Sequence, residues 1–416
     1  MFLRYVQTGW FLAVRQIRRA SMWTNLLIVF VMMLTFLNLV VVSGILVGLI
    51  ESSALAYRKH HAGDVIISNR LEKTYIERSQ EIIDFAKSLP EVTAVSGRYI
   101  EGGKVESGYK ERTRAGDILD NASGLLSGID PLAEDRVTGL STKVVEGEYL
   151  DPSDEDQILL GSNLLFKYSP IDSPAFRNLK NAELGSRVRL TVAGNTREVT
   201  IKGIVKSKVG ELDTRIFMNE RIVRKLIGRN DLNVDEIVIR LVAGASPEKI
   251  RDELIAEGFD SVATIQTWEQ SLPKFLRDIQ DAFALLGNLI GSVGLAVASI
   301  TIFIVIFVNA ITRRKFIGIL KGIGISSRTI EIAYMFQSLF YALAGTIIGI
   351  AVLYLVLVPF VDAHPINFPF SDGILVATWS GTLIRAFVLF IATVIAGYIP
   401  AKIIVKQNTL DAILGR

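Results

Sequence analysis

Apolar positions in this chain fall into two regimes. In four stretches they run almost without interruption, and between the first and the second they thin into short alternating or helically spaced groups. The runs are Asn25–Ile50, Phe283–Ile311, Ala333–Val361 and Thr382–Val405. A helix needs about 20 apolar residues to cross a hydrocarbon layer of about 30 Å, so each run predicts a transmembrane helix. None contains an acidic residue, and Arg385 lies near one end of the fourth. Ser53–Ala56 after the first run looks like a signal cleavage site. Signal h-regions span only about 7–15 residues, so the first run reads as a retained anchor.

Residues 1–24 have Phe2, Val6, Phe11, Val14 and Ile17 at helical spacing beside Arg15, Arg18 and Arg19. They read as an amphipathic helix on the membrane surface, or as a plain basic flank. The stretch 51–282 predicts a water-facing α+β domain. Its expected elements are a strand at Asp64–Ser68, a helix at Ser79–Ser88 closed by Pro90, and a strand at Val92–Ile100. A polar, glycine-containing connection then leads to Gly128–Pro131. A second block, Gly147–Gly228, reads as a subdomain inserted into the first. Within it "ILLGSNLLFKYS" suggests strand, turn and helix. Arg187–Val192 and Glu198–Val205 suggest a hairpin turning at Gly194-Asn195. "TRIFMNERIVRKLIG" follows as strand and helix, then the strand "EIVIRLV", then a helix with Ser246 as cap and Pro247 at its first position. From Gln266 the pattern turns helical and leads into the second run.

Charge orients these elements. Arg4, Arg15, Arg18 and Arg19 precede the first run, and Arg313, Arg314, Lys315, Lys321 and Arg328 fill the connection 312–332. Lys406 and Arg416 occupy the tail 406–416, whereas the connection 362–381 holds Asp362 and Asp372 and no cation. Cations favour the cytoplasmic side. Both termini and 312–332 are therefore expected in the cytoplasm, with 51–282 and 362–381 outside. The chain would be a multi-pass protein of the inner or plasma membrane.

Composition then excludes chemistry. Lys+Arg 45 against Asp+Glu 42 gives +3 overall, which does not point to nucleic acid, and with no cysteine there is no disulfide or thiol chemistry. Gly103-Lys104 is followed by Val105, so no P-loop is present, and G-x-S-x-G and H-E-x-x-H are absent. His60-His61 with Asp64 reads as a polar juncture rather than a metal site, and no cofactor is expected. The runs carry the amides Asn38, Asn288, Asn309 and Gln337, which suit hydrogen bonds between helices rather than an ion path. Gly287, Gly291 and Gly294 on the second run, and Gly345 and Gly349 on the third, permit close helix contact. That contact could lie within the chain or at a dimer seam.

One segment is not explained by the bilayer. After the second run the chain writes RRKFIGILKGIG, Arg313 to Gly324. Ile317, Ile319, Leu320 and Ile323 are apolar in a short cytoplasmic helix, and such a face invites docking in a groove on another protein. The segment resembles the R-R-[KR]-E-I-G-I-L-K-A-[IL]-G-A-S signature of ABC exporter permeases of the FtsX/MacB type. The likeness runs through Arg313, Arg314, Lys315, Ile317, Gly318, Ile319, Leu320, Lys321, Gly322, Gly324 and Ser326. Phe316 stands where the family usually has Glu. The C-terminal "GYIPAKIIVKQNTLDAIL" is similar to the family's ending, with Asn408-Thr409 in place of Pro-Ile. "GIDPLAEDRVTGLSTKVVEGEYL" with "ILLGSNLL" looks like the lipoprotein-releasing, LolC/LolE-like branch.

The resemblance implies an α-helical membrane protein with four transmembrane helices and a large extracytoplasmic α+β domain, of the MacB-like periplasmic core kind. It implies that Arg313 to Gly322, with Phe316 and Gly324, form a coupling helix seated in a cytosolic ATPase. A second permease, identical or paralogous, would complete the assembly within membrane lipid. The permease would have no ATPase activity itself and would pass ATP-driven motion outward to extract or export a lipoprotein, peptide or other amphiphile. The alternative from the cell-division branch is a regulator of an extracytoplasmic cell-wall hydrolase.

Overall fold

Long apolar runs satisfy their backbone polar groups internally, and each run lies within a continuous helix. The computed structural model describes residues 2–109, 120–170, 177–364, 366–368, 371–373 and 375–406. The C-terminal signature beyond Lys406 lies outside them. The chain forms two compact units. One draws on Met1–Ile50, Asp278–Asn367 and Asp372–Arg416, the other on Glu51–Arg277 with Phe368–Ser371.

The helical unit is built from α1 (Phe2–Arg19), α2 (Met22–Tyr57), α3 (Lys274–Thr312), α4 (Arg314–Gly322), α5 (Ser327–Val352) and α6 (Trp379–Val405). After α5 come a π-helical turn, Leu353–Leu357, and the short helix Val358–Ala363. Among the described residues, four helices are long and apolar enough to cross a membrane. The inward face of α2 repeats at helical spacing through Ile28, Met32, Phe36 and Val40. Against it packs α5. A Cβ at Gly345 would fall 2.5 Å from Cβ of Met32, and one at Gly349 would fall 2.5 Å from Cδ1 of Phe36. The glycine pair on the third run therefore serves contact within the chain. Helix α1 also lies on α5, with Gly9 against Ile332 and Trp10 edge-on to Phe336. A polar chain links three helices: Gln337 donates to Tyr341 Oη at 3.2 Å, Tyr341 donates to Asn25 Oδ1 at 2.7 Å, and Asn25 donates to the Ile17 carbonyl at 2.9 Å.

The second unit holds a 10-stranded sheet. Its strands are β1 (Val65–Asn69), β2 (Val92–Ser107), β3 (Asp120–Ile129), β4 (Val144–Gly147), β5 (Gln157–Gly161), β6 (Arg187–Val192), β7 (Asn195–Val205), β8 (Arg215–Asn219), β9 (Glu236–Leu241) and β10 (Ala263–Thr267). The order is β10-β1-β9-β2-β3-β8-β5-β7-β4, and β6 pairs with both β2 and β7. The path β2-β3-β8-β5-β7-β6 thus returns to β2 as a closed circuit with no free edge of its own, while β10 and β4 end the sheet. Strand β2 makes this possible by changing partner along its length. Val92 to Arg98 pair with β9, and Gly103 to Glu106 pair with β6. The side chains of Val105, Leu126, Ile158, Leu160, Val188 and Ile216 are buried in the resulting core.

Local expectations needed correcting at four places, the first being Gln266, which lies in β10, so that the helix leading into the second run begins only at Lys274. The glycine-containing connection after Ile100 is strand through Ser107, and β3 follows from Asp120. Its glycines allow close backbone approach: Gly124 faces Gly103, and a Cβ there would lie 2.2 Å from the Thr214 carbonyl oxygen. The hairpin turns at Ala193-Gly194 rather than Gly194-Asn195. Val192 pairs with Asn195, and the two turn residues have φ of +48° and +81°, the type I′ geometry that matches strand twist. After β5 a 3₁₀ turn, Ser162–Leu164, replaces the expected helix. Leu164 and Leu165 go into the core instead.

Candidate functional site

Helix α4 starts directly after α3, with Arg313 at its N-cap position. It stops for a reason legible in its hydrogen bonds. Gly324 has φ of +93°. Its N–H donates to the Lys321 carbonyl at 3.0 Å, and the Ile325 N–H donates to the Leu320 carbonyl at 3.0 Å. This is a Schellman motif, and Leu320 and Ile325, its expected apolar pair, both pack on the helical core. Ser326 then caps α5 by accepting from Thr329 N–H at 3.3 Å. Gly322 lies in the last turn of the helix, and Gly324 makes the left-handed cap.

The two faces of α4 differ sharply. Ile317 is 3 % exposed, whereas Phe316, Ile319 and Ile323 are 68 %, 50 % and 72 % exposed. Gly318 is buried with Ile317, and Leu320 is half-buried. The expectation that Ile317 and Leu320 project toward a partner is therefore corrected: their face is the anchor. The outward stripe is Phe316, Ile319 and Ile323, at three- and four-residue spacing, with Lys315 exposed beside it. Arg313 and Arg314 are half-buried at the start. Lys321 turns inward, and its Nζ donates to the Val405 carbonyl at 3.0 Å. A cation there meets the negative end of α6. Phe316, where the resemblance leads one to expect Glu, makes this stripe continuous.

The sheet unit contains a buried polar cluster around the expected His60-His61-Asp64 juncture, and its members Arg98, Glu134, Arg215 and Glu236 were not announced by the sequence. Arg98 donates through Nε and Nη2 to Glu134 at 3.0 and 2.6 Å, through Nη2 to the His61 carbonyl at 2.8 Å, and through Nη1 to Glu236 at 3.2 Å. Arg215 donates to both oxygens of Glu236 at 3.2 and 3.3 Å and to Ser127 Oγ at 3.0 Å. Ser96 and Thr138 add hydroxyl donors to Glu134 at 2.9 and 3.1 Å. Burial would raise Glu236, but Arg215 and Arg98 outweigh it and hold the carboxyl well below the usual range. His60 accepts or donates at the Thr138 carbonyl, 2.9 Å away, and burial pushes it down to about 4. Burial, then Arg215 and Arg98, hold His61 well below its ordinary value. Asp64 is taken by Arg58 at 2.6 Å, Arg240 at 3.5 Å and the Leu241 N–H at 2.8 Å. Every strong acceptor in the cluster is matched to a cation or hydroxyl. The arrangement locks the π-helical turn Arg58–Ala62 to the sheet.

Two family models match the chain: the MacB-like periplasmic core domain over residues 26–257 and the FtsX-like permease C-terminal region over residues 288–409. An uncharacterized ABC transporter permease of Methanocaldococcus jannaschii is 25% identical over 283 residues, a match spanning 65% of this chain and 65% of that relative's length. Among solved structures, the periplasmic region of MacB from Actinobacillus actinomycetemcomitans is similar over 51% of this chain and 92% of its own, at 13% identity and a TM-score of 0.35. The extracellular domain of the noncanonic ABC-type transporter YknZ from Gram-positive bacteria covers 50% of this chain and 100% of its own, at 14% identity and a TM-score of 0.32.

Proposed function

The chain belongs to the ABC transporter permeases of the FtsX/MacB type, and from that premise we propose that it passes ATP-driven motion from a cytosolic ATPase to its sheet unit. The observation that carries this reading is the exposed Phe316-Ile319-Ile323 stripe on a helix whose other face is anchored in the helical core. A seated partner removes that stripe from water, and displacement of the partner moves a body already packed into the spans. Helices α2 and α3, 36 and 39 residues long, would transmit the motion. At 1.5 Å per residue they measure about 54 and 58 Å, well beyond the hydrocarbon layer. The work would act on a lipoprotein or another amphiphile outside, and a second permease would complete the machine.

Replacing Phe316, Ile319 and Ile323 together by Ala should strip the ATPase from the purified permease, since interface anchors of this size are worth about 1–2 kcal/mol or more each. Thermal unfolding of the permease should be unchanged. Undiminished ATPase copurification would refute the docking role. The charge asymmetry supports a topology with α4 in the cytoplasm and the sheet unit outside. In this cysteine-free chain, an impermeant thiol reagent on intact cells should label Ser141→Cys and spare Arg328→Cys. The reverse pattern would invert the topology.

A further inference from the structure

The side of α4 nearest α1 borders a cleft of about 440 Å³. Helix α1 supplies Leu12, Arg15 and Arg19, which share one face through spacings of three and four residues. Arg313 and Phe316 come from the start of α4. No acidic side chain lines the cleft. Among the described residues none of the three guanidiniums has an ion-pair or hydrogen-bond partner. Three cations converge without a counter-charge, beside an apolar wall of Leu12, Phe316 and Ile319. The height of the cleft is fixed by the chain: Arg19 lies just before α2 begins at Met22, and Arg313 directly follows the end of α3 at Thr312. It therefore lies where two spans leave the hydrocarbon, at headgroup level. One ligand class matches a cationic rim, an apolar wall and that depth together.

We propose that this cleft binds an anionic glycerophospholipid, with its phosphate between Arg15, Arg19 and Arg313 and an acyl chain along Leu12 and Phe316. Guanidinium forks suit phosphate oxygens, and a lipid would supply the missing negative charge without leaving the bilayer. The bound lipid would then bridge α1 to α4, so that the partner-facing helix is seated partly on lipid. Phe316 and Ile319 border both this cleft and the exposed stripe, so lipid and docking partner would meet at those two residues, whereas Arg15 and Arg19 belong to the cleft alone.

The test uses the full-length chain in mild detergent, with phosphatidylglycerol or phosphatidylcholine titrated and bound lipid counted by native mass spectrometry. The protein should retain phosphatidylglycerol at least tenfold better than phosphatidylcholine. Each of Arg15→Gln and Arg19→Gln, both at exposed positions, should weaken retention about fivefold. The triple variant with Arg313→Gln should abolish the preference. Arg18→Gln, on the same helix but outside the cleft, should leave it intact, and inorganic phosphate at equal concentration should not displace the lipid. An unchanged preference in the single and triple variants would overturn the proposal. So would an equal loss in Arg18→Gln, which would reduce the effect to general surface charge. Displacement by inorganic phosphate would make this a free-anion site, and unchanged lipid retention with loss of the ATPase would give the cleft to that protein instead; either result also overturns it.

Discussion

The sheet unit and the helical unit bury polar groups by opposite means. In the sheet unit, whole charges go inside and are matched there: Arg98 and Arg215 meet Glu134 and Glu236, and Asp64 meets Arg58 and Arg240. In the helical unit the buried polar chain is neutral, through Gln337, Tyr341 and Asn25. Its cations stay at the ends of the helices, where Lys321 meets a helix terminus and Arg15, Arg19 and Arg313 face a cleft. A buried charge pair holds one geometry and is costly to break. A neutral amide–hydroxyl contact between helices is worth far less, about 0.6 kcal/mol on average. The sheet unit is thus internally committed, and the helical unit keeps its charge available for what lies outside it.

The comparison breaks most visibly at Glu134. Glu134→Gln leaves Arg98 buried without its carboxylate, and removing one partner of such a pair costs about 3–5 kcal/mol. Hydrogen exchange on the full chain should show protection falling in β2 and β9 while α5 is unaffected. Equal loss in both units would erase the distinction. Next in size is Ile317→Ala. Loss of a buried aliphatic side chain costs about 2–5 kcal/mol, so thermal unfolding should occur earlier, in contrast to the three exposed alanines on the same helix. If Ile317→Ala left stability untouched, the anchored face would be misassigned.

The smallest effect is a dependence on pH confined to the sheet unit. His60 and His61 are held neutral when folded, His60 down to about 4, while an unfolded histidine titrates near 6.5. Below about pH 6.5 the unfolded chain takes up protons that the folded chain refuses, so stability falls as pH falls. The loss between pH 7 and pH 5 should be on the order of 1 kcal/mol per histidine after solvent screening. Glu236 acts in the same direction at lower pH. Its depressed folded value gives stability that is complete above the unfolded carboxylate range, near pH 4.3, and lost in stronger acid. Protection factors in β9, taken relative to the intrinsic exchange rate at each pH, should fall on acidification before those in α5. A flat profile between pH 7 and pH 5 would mean the histidines are charged or solvated when folded.

What was legible in the sequence was whatever short spacing encodes. The four spanning helices follow from unbroken apolar length, and Ser246-Pro247 marks its helix correctly. The α4 segment stood out because its apolar residues had no use in the bilayer. Which of them face outward was not legible. Phe316, Ile317, Ile319 and Leu320 are all apolar, and only packing on α5 and α6 divides them into two faces. The strand circuit was hidden for a different reason. It depends on β2 exchanging β9 for β6 at Gly102-Gly103, a pairing between residues more than eighty positions apart that leaves no periodic trace. The charge cluster drew its members from β2, β8, β9 and the helix Pro131–Thr138, each of which looks like an ordinary charged surface residue in its own neighbourhood.

The link between α4 and α5 has a mechanical meaning of its own. Gly324 and Ile325 satisfy the last carbonyls of one helix, and Ser326 satisfies the first donors of the next. No slack peptide is left in the bend to absorb a push. Lys321 adds a strut from the same corner to the end of α6. A force applied to the exposed side of α4 would therefore arrive as torque on α5 and α6 at once, as in a bell crank whose elbow is welded and braced. Cutting the brace with Lys321→Met would leave the elbow intact but send the whole load down α5.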